Sequence, residues 1–185
     1  MAAPGPSLAL IEVASMARAY VILDALVKRA QVSVRWHREV TPGKTVILYG
    51  GAEEETLEAH GAALDASATA LVDDLLLPQA HPQLWGGVEG HFSARRGTAA
   101  AILELSTVAS TLLAADAALK ATDVTLIKLR LAAGIGGRGF FILSGALEEV
   151  QAAAEAGVAI VRDDRLVARE VVSQPHDELW GFFSA

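Results

Sequence analysis

The chain repeats itself. Ala9-Leu-Ile-Glu-Val13 returns as Ala101-Ile-Leu-Glu-Leu105, 92 positions on, and Asp24-Ala-Leu-Val-Lys28 returns at the same shift as Asp116-Ala-Ala-Leu-Lys120. Further along, His81-Pro-Gln-Leu-Trp85-Gly86 returns as His176-Asp-Glu-Leu-Trp180-Gly181, shifted by 95. Solenoid units run about 20–50 residues, so this is a duplication of a whole small domain. Each copy can bury a small core of its own. Two similar domains in one chain suggest an object built from many equal units, because duplication followed by association gives a pseudo-symmetric ring.

Composition narrows the function classes. Hydrophobic residues make up 52% of the 185, and the mean hydropathy is +0.38. Subunit interfaces are the natural place to bury such an excess. No apolar run reaches the roughly 18 residues a membrane span needs, so no membrane partner is expected. The first residues carry no basic charge ahead of the apolar stretch, which Glu12 interrupts, so no secretion signal is expected. The formal charge of −7 and the lack of a basic patch argue against nucleic acid. There is no cysteine, which removes disulfides and thiolate-bound metals.

Periodicity gives the same order of elements twice. Residues 8–13 read as a buried strand. Residues 14–30 read as a helix with Met16, Ala19/Tyr20, Leu23 and Leu26/Val27 on one face. Strands at 32–39 and 45–49 flank the turn Thr41-Pro42-Gly43-Lys44. Glu53, Glu54 and Glu55 open a second helix, where negative charge suits the helix dipole. A strand at 71–77 and a short tail helix at 81–86 follow. The second copy reads as strand 100–105, helix 107–121, strands 124–132 and 138–144, helix 146–157, strand 165–172 and a tail from His176. Each half is thus β-α-β-β-α-β plus a short helix, an α+β sheet with helices on one face. The expected domains are 8–86 and 99–185, joined by a linker at 87–98. Lys44 corresponds to Arg138, and the second turn is two residues longer.

Gly134-Ile-Gly136-Gly137-Arg138-Gly139 matches G-x-G-x-x-G. A dinucleotide fingerprint needs a helix after it, whereas Phe140-Phe-Ile-Leu143 is a strand, so the glycines read as a hairpin turn. His37, His60, His81, His91 and His176 show no metal-ligand spacing. The equivalent positions of His81 and His176 argue for a structural role at the start of the tail helix. Trp85 and Trp180 read as interface anchors. No serine–histidine–acid or paired-carboxylate constellation stands out, and no enzyme activity is expected.

With both series of motifs in order, the chain resembles the tandem-domain shell proteins of bacterial microcompartments (BMC). The marks are Leu10-Ile-Glu12, Asp-Ala-x-x-Lys at 24–28 and 116–120, the glycine-containing turns and the proline–histidine close before the tail helix. The order matches the non-permuted type, and the turns resemble those of propanediol-utilisation members. The resemblance implies two ferredoxin-like BMC domains and a homotrimer shaped as a pseudohexameric tile, packed in a cytoplasmic microcompartment shell beside hexameric and pentameric tiles. It implies a central pore for small metabolites, lined by Thr41, Pro42, Gly43, Lys44, Gly134, Ile135, Gly136, Gly137 and Arg138. Lys44 and Arg138 would place six positive charges at a trimer's opening and favour small anionic or polar metabolites. Lys28 and Lys120 read either as dipole partners at helix ends or, with His81 and His176, as tile-edge contacts. Some relatives bind an iron–sulfur cluster through a cysteine before the Pro-Gly of the first turn. Thr41 stands there instead, and with no thiolate in the chain no cofactor is expected. The arginine that many single-domain relatives carry before the final proline–histidine is also missing. The competing reading from another class is a trimeric ligand-binding regulator of ferredoxin-like fold.

Overall fold

The computed structural model describes residues 5–183. In the first repeat, β1 (Ser7–Val13), β2 (Ser33–Val40), β3 (Lys44–Gly51) and β4 (Leu71–Leu77) form one sheet in the order β2-β3-β1-β4. The helices α1 (Met16–Arg29) and α2 (Glu53–Ser67) connect them, and α3 (Pro82–Val88) follows. In the second, β5 (Ala99–Leu105), β6 (Thr125–Leu131), β7 (Gly139–Gly145) and β8 (Leu166–Ser173) pair as β6-β7-β5-β8, with α4 (Val108–Ala121), α5 (Leu147–Ala159) and the tail α6 (Asp177–Phe183). All neighbours are antiparallel. The fold is therefore the expected pair of ferredoxin-like β-α-β-β-α-β domains.

The two copies share local devices as well as order. Ser15 and Thr107 cap α1 and α4, each accepting the backbone N–H three residues on, from Arg18 and Ser110 at 3.2 Å. Such caps satisfy one orphan donor at the helix start. The strand β1 loses its register at Glu12/Val13, and β5 does so at Glu104/Leu105. The entry to each repeat needs a glycine: a Cβ on Gly5 would lie 2.0 Å from the carbonyl oxygen of Gly51, and one on Gly97 2.3 Å from that of Gly145.

By packing, the chain divides into two compact units, residues 1–80 with 132–137, and residues 81–131 with 138–185. The tail helix α3, expected at the end of the first domain, groups with the second unit. The tip of the β6–β7 hairpin groups with the first.

The face read from periodicity in α1 is split: Ala19 and Leu26 are buried together with Ile22, whereas Met16, Tyr20 and Val27 are exposed. Two apolar stripes share this helix, and the one formed by Ala19, Ile22 and Leu26 faces the sheet. Its core comprises Ala9, Ile11, Val13, Ile47 and Tyr49 from the strands, with Ala59 and Ala63 from α2.

Within that core lies a polar chain. The Tyr49 hydroxyl donates to His60 Nδ1 at 2.8 Å, and His60 Nε2 donates to Asp74 at 3.1 Å. The carboxylate accepts, which fixes the proton on Nε2. Burial lowers the His60 pKa against the opposing pull of Asp74, and raises that of Tyr49, with the Asp74 charge adding to the rise. The equivalent positions in the second copy hold Leu143, Ala154 and Arg169.

A histidine buried neutral must charge as the protein unfolds. Its stabilisation is complete above the unfolded value of about 6.5 and declines as pH falls through it toward the lower folded value. Thermal melts from pH 7.5 to 5 should show a falling midpoint. Replacing the trio by its second-copy counterparts (Tyr49→Leu, His60→Ala, Asp74→Arg) should flatten that slope. An unchanged slope would assign the acid sensitivity elsewhere.

Candidate functional site

The site implied by the sequence is a pair of hairpin turns. In the first, Thr41-Pro42-Gly43 joins β2 to β3. Its Thr41–Pro42 peptide is cis, Gly43 has φ +109°, and the Gly43 N–H donates to the Val40 carbonyl at 3.0 Å. The second runs from Ala132 to Arg138. Ala132, Gly134, Gly136 and Gly137 all have positive φ, and the N–H groups of Ile135 and Gly137 both donate to the Ala132 carbonyl at 3.3 Å. A run of left-handed residues is what only glycine adopts at low cost.

The two turns meet. Lys44 Nζ donates to the Gly137 carbonyl at 3.1 Å. A Cβ on Gly137 would come within 2.7 Å of Lys44 Cε and 2.8 Å of the Thr41 carbonyl oxygen. Gly134 and Gly136, in contrast, have nothing within 4 Å of a Cβ position. The structure thus brings Thr41, Lys44 and Gly137 together and leaves Gly134 and Gly136 in open space.

Both cations beside the turns have carboxylate partners. Lys44 pairs with Glu12 at 3.0 Å; the carboxylate is fully buried and the lysine side chain only 14% exposed. Arg138 pairs with Glu104 at 2.9 Å, with both groups partly exposed. Glu12 and Glu104 are the same position in the two copies. Each repeat therefore sets an acid on its first strand against the base at its turn, and the turns carry ion pairs rather than free positive charge. Sequence reasoning missed these acids, although a lone glutamate in an apolar strand, present twice, is a visible signal.

The other site residues lie at helix ends. Lys28 pairs with Asp24 at 2.7 Å on an exposed surface. Lys120 pairs with Asp116 at 2.5 Å, but there the carboxylate is buried. Asp116 also accepts the backbone N–H of His81 at 2.7 Å, so the structure brings Lys120 and His81 together. His81 Nδ1 in turn accepts the N–H of Gln83, capping α3. Burial lowers the His81 pKa, opposed by Asp116 and assisted by Lys120. His176 makes the same cap to Glu178 at 3.3 Å but is exposed. Among the described residues no group of three or more histidines and carboxylates could hold a metal ion, and no helix is long and apolar enough to cross a membrane.

Comparison with known proteins gives a consistent result. The family model described as the BMC domain matches twice, at residues 7–80 and 99–175. The chain is 30% identical over 175 residues to the bacterial microcompartment shell protein PduT of Citrobacter freundii, covering 94% of this chain and 95% of that protein. Among solved structures, a microcompartment protein from Desulfitobacterium hafniense is 34% identical with a TM-score of 0.83, covering 94% of this chain and 97% of the other. A fused permuted hexameric shell protein from the RMM microcompartment is 25% identical with a TM-score of 0.63, covering 83% of each.

The two ion pairs should behave differently when broken. Lys44→Met removes the cation from a fully buried carboxylate, which typically costs about 3–5 kcal/mol. Arg138→Met breaks an exposed pair, worth about 0–1 kcal/mol. Urea unfolding of both variants measures the difference, and equal losses would contradict this account.

Proposed function

Because the chain belongs to the BMC-domain family, as a tandem-domain shell protein of bacterial microcompartments, we propose that it forms a homotrimeric, pseudohexameric tile with a central opening for small metabolites. Family membership makes it a structural component of the shell, in the bacterial cytoplasm, rather than an enzyme. The contact of Lys44 with the Gly137 carbonyl carries the finer reading. It joins the hairpin turns of the two repeats, and turns that meet pairwise are what six repeats around one axis require. Gly134 and Gly136 are exposed, with open space beside them, and exposed backbone dipoles suit the passage of small polar solutes. With Lys44 and Arg138 paired to acids, selection by size and hydrogen bonding outweighs selection by charge.

The tile's outer contacts follow from the same arrangement. Lys28 and Lys120 lie in the last turns of α1 and α4 with exposed side chains, available to neighbouring tiles of this or other shell proteins.

Light scattering at micromolar concentration should give the mass of three chains; a stable monomer would overturn the ring. Gly136→Trp should leave that mass unchanged and lower flux through tiles reconstituted in planar bilayers, and unaltered flux would remove this turn from the opening. Electron microscopy should show fewer sheets for Lys28→Ala with Lys120→Ala while the trimer persists.

A further inference from the structure

The segment that joins the repeats carries two adjacent arginines, Arg95 and Arg96, in a chain of net charge −7. The repeat does not require them. Gly97 opens the second copy as Gly5 opens the first, and the two residues ahead of Gly5 are Ala3 and Pro4. Both arginines are exposed, and residues 91–97 have no regular structure. Yet the segment is pinned at both ends. The His91 N–H donates to the Gly86 carbonyl at 2.8 Å. At the other end the Gly97 N–H donates to Ser144 Oγ at 2.7 Å and the Thr98 N–H to the Gly145 carbonyl at 3.0 Å.

Between this segment and α6 lies a hollow of about 110 Å³. Ile127, Trp180 and Phe183 form its floor, and all three are buried. Trp180 and Phe183 meet edge to face, with ring centroids 5.5 Å apart. The rim carries Ser93, Arg95 and Arg96, so two cations and no acid line the hollow. The Arg96 guanidinium stands 5.8 Å from the centroid of the Trp180 ring, within reach of cation–π attraction. Arg95 approaches Asp123 only at 3.9 Å, with both side chains exposed, and such a pair contributes little. An apolar floor with a few charged groups at one edge is the make-up of a small-molecule site.

We propose that this hollow binds a small organic carboxylate, with its apolar part against Ile127, Trp180 and Phe183 and its carboxylate against the Arg95 and Arg96 guanidiniums. Charge sets the class. A guanidinium pairs with a carboxylate through two parallel hydrogen bonds and also lies flat on aromatic rings, and the buried floor suits a hydrocarbon. Size sets the limit. At about 30 Å³ per water, the hollow equals about four waters, the room of a short acyl chain and not of a nucleotide or a peptide. The site lies at the far end of β7 from Arg138. The linker meets that strand at Ser144 and Gly145, and its seven residues span roughly 20 Å at about 3.3 Å each. A bound carboxylate would tie the linker to the tail helix, and it involves none of the residues assigned above to the opening.

The test uses butyrate as the probe and the indole N–H signals of the intact chain as the readout. There are three tryptophans, Trp36, Trp85 and Trp180, and Trp180→Phe identifies the third signal. Titration with sodium butyrate should shift the Trp180 signal to saturation and leave the other two unmoved. Sodium chloride at equal ionic strength and neutral butyramide should not reproduce the shift. Acetate, two methylenes shorter, should bind roughly tenfold more weakly. Arg95→Gln with Arg96→Gln should weaken butyrate binding by about tenfold or more, and unmoved Trp36 and Trp85 signals confirm that this variant is folded. An unresponsive Trp180, or an equal response to butyramide, overturns the site. Equal affinity for acetate refutes the apolar floor, full binding by the double variant refutes the arginine rim, and either result ends the proposal.

Discussion

A carboxylate with no exposure at all needs a cation. Glu12 lies on the central strand β1, flanked by β3 and β4, and Lys44 opens β3 immediately after the first turn. The pair ties the middle of the sheet to the start of the hairpin, and the same ammonium continues to the Gly137 carbonyl. Desolvating the two charges is costly, and their attraction repays it only when the geometry is good and further hydrogen bonds are made. The two contacts hold the ammonium between Glu12 and the Gly137 carbonyl, at the end of the turn it follows. The second repeat has the same arrangement in a wetter setting, with Glu104 and Arg138 both partly exposed. One sequence device thus yields a rigid anchor in one copy and a screened surface pair in the other.

That contrast recurs wherever the copies are compared. Asp24 and Asp116 sit at the same place in the same motif, each paired with the lysine four residues on. Only Asp116 is covered, because α3 lies over it and His81 donates to it. The burial of Asp116 follows from what the tail of the other repeat lays on it. The helix α1 carries two apolar stripes. Ala19, Ile22 and Leu26 serve the core of the repeat, and Met16, Tyr20 and Val27 form a second face.

Most of the fold was legible in the sequence because the signals were local and occurred twice. Alternation, helical periodicity and the Pro-Gly turn placed all eight strands and the four long helices within about two residues, the usual uncertainty of element ends. Two things were not legible. Periodicity reports that a stripe is apolar but not what will cover it: it sets Ala19 and Tyr20 on one face, and only Ala19 is buried. Charge counting does not show the partners of Lys44 and Arg138, because these are 32 and 34 residues away and only sheet pairing brings them together. The turns themselves were identified by their glycines, yet the need for glycine at 137 comes from the approach of Lys44 and Thr41, a contact that no local pattern encodes.

The cores also show what fusion of two repeats permits. In a ring of identical single domains, a polar chain such as Tyr49–His60–Asp74 would recur in every copy. Here it occurs once per chain, and Leu143, Ala154 and Arg169 occupy the corresponding places. The two cores are consequently not interchangeable. His60 set opposite Leu143 would lose the hydroxyl that satisfies Nδ1, and a buried imidazole nitrogen without a partner is expensive. Tyr49 set opposite Ala154 would lose its acceptor and face a void where the imidazole had been. Repeats this alike in backbone risk exchanging helices as they fold. A hydrogen-bonded trio in one core and close-packed alanine and leucine in the other oppose such an exchange from both sides.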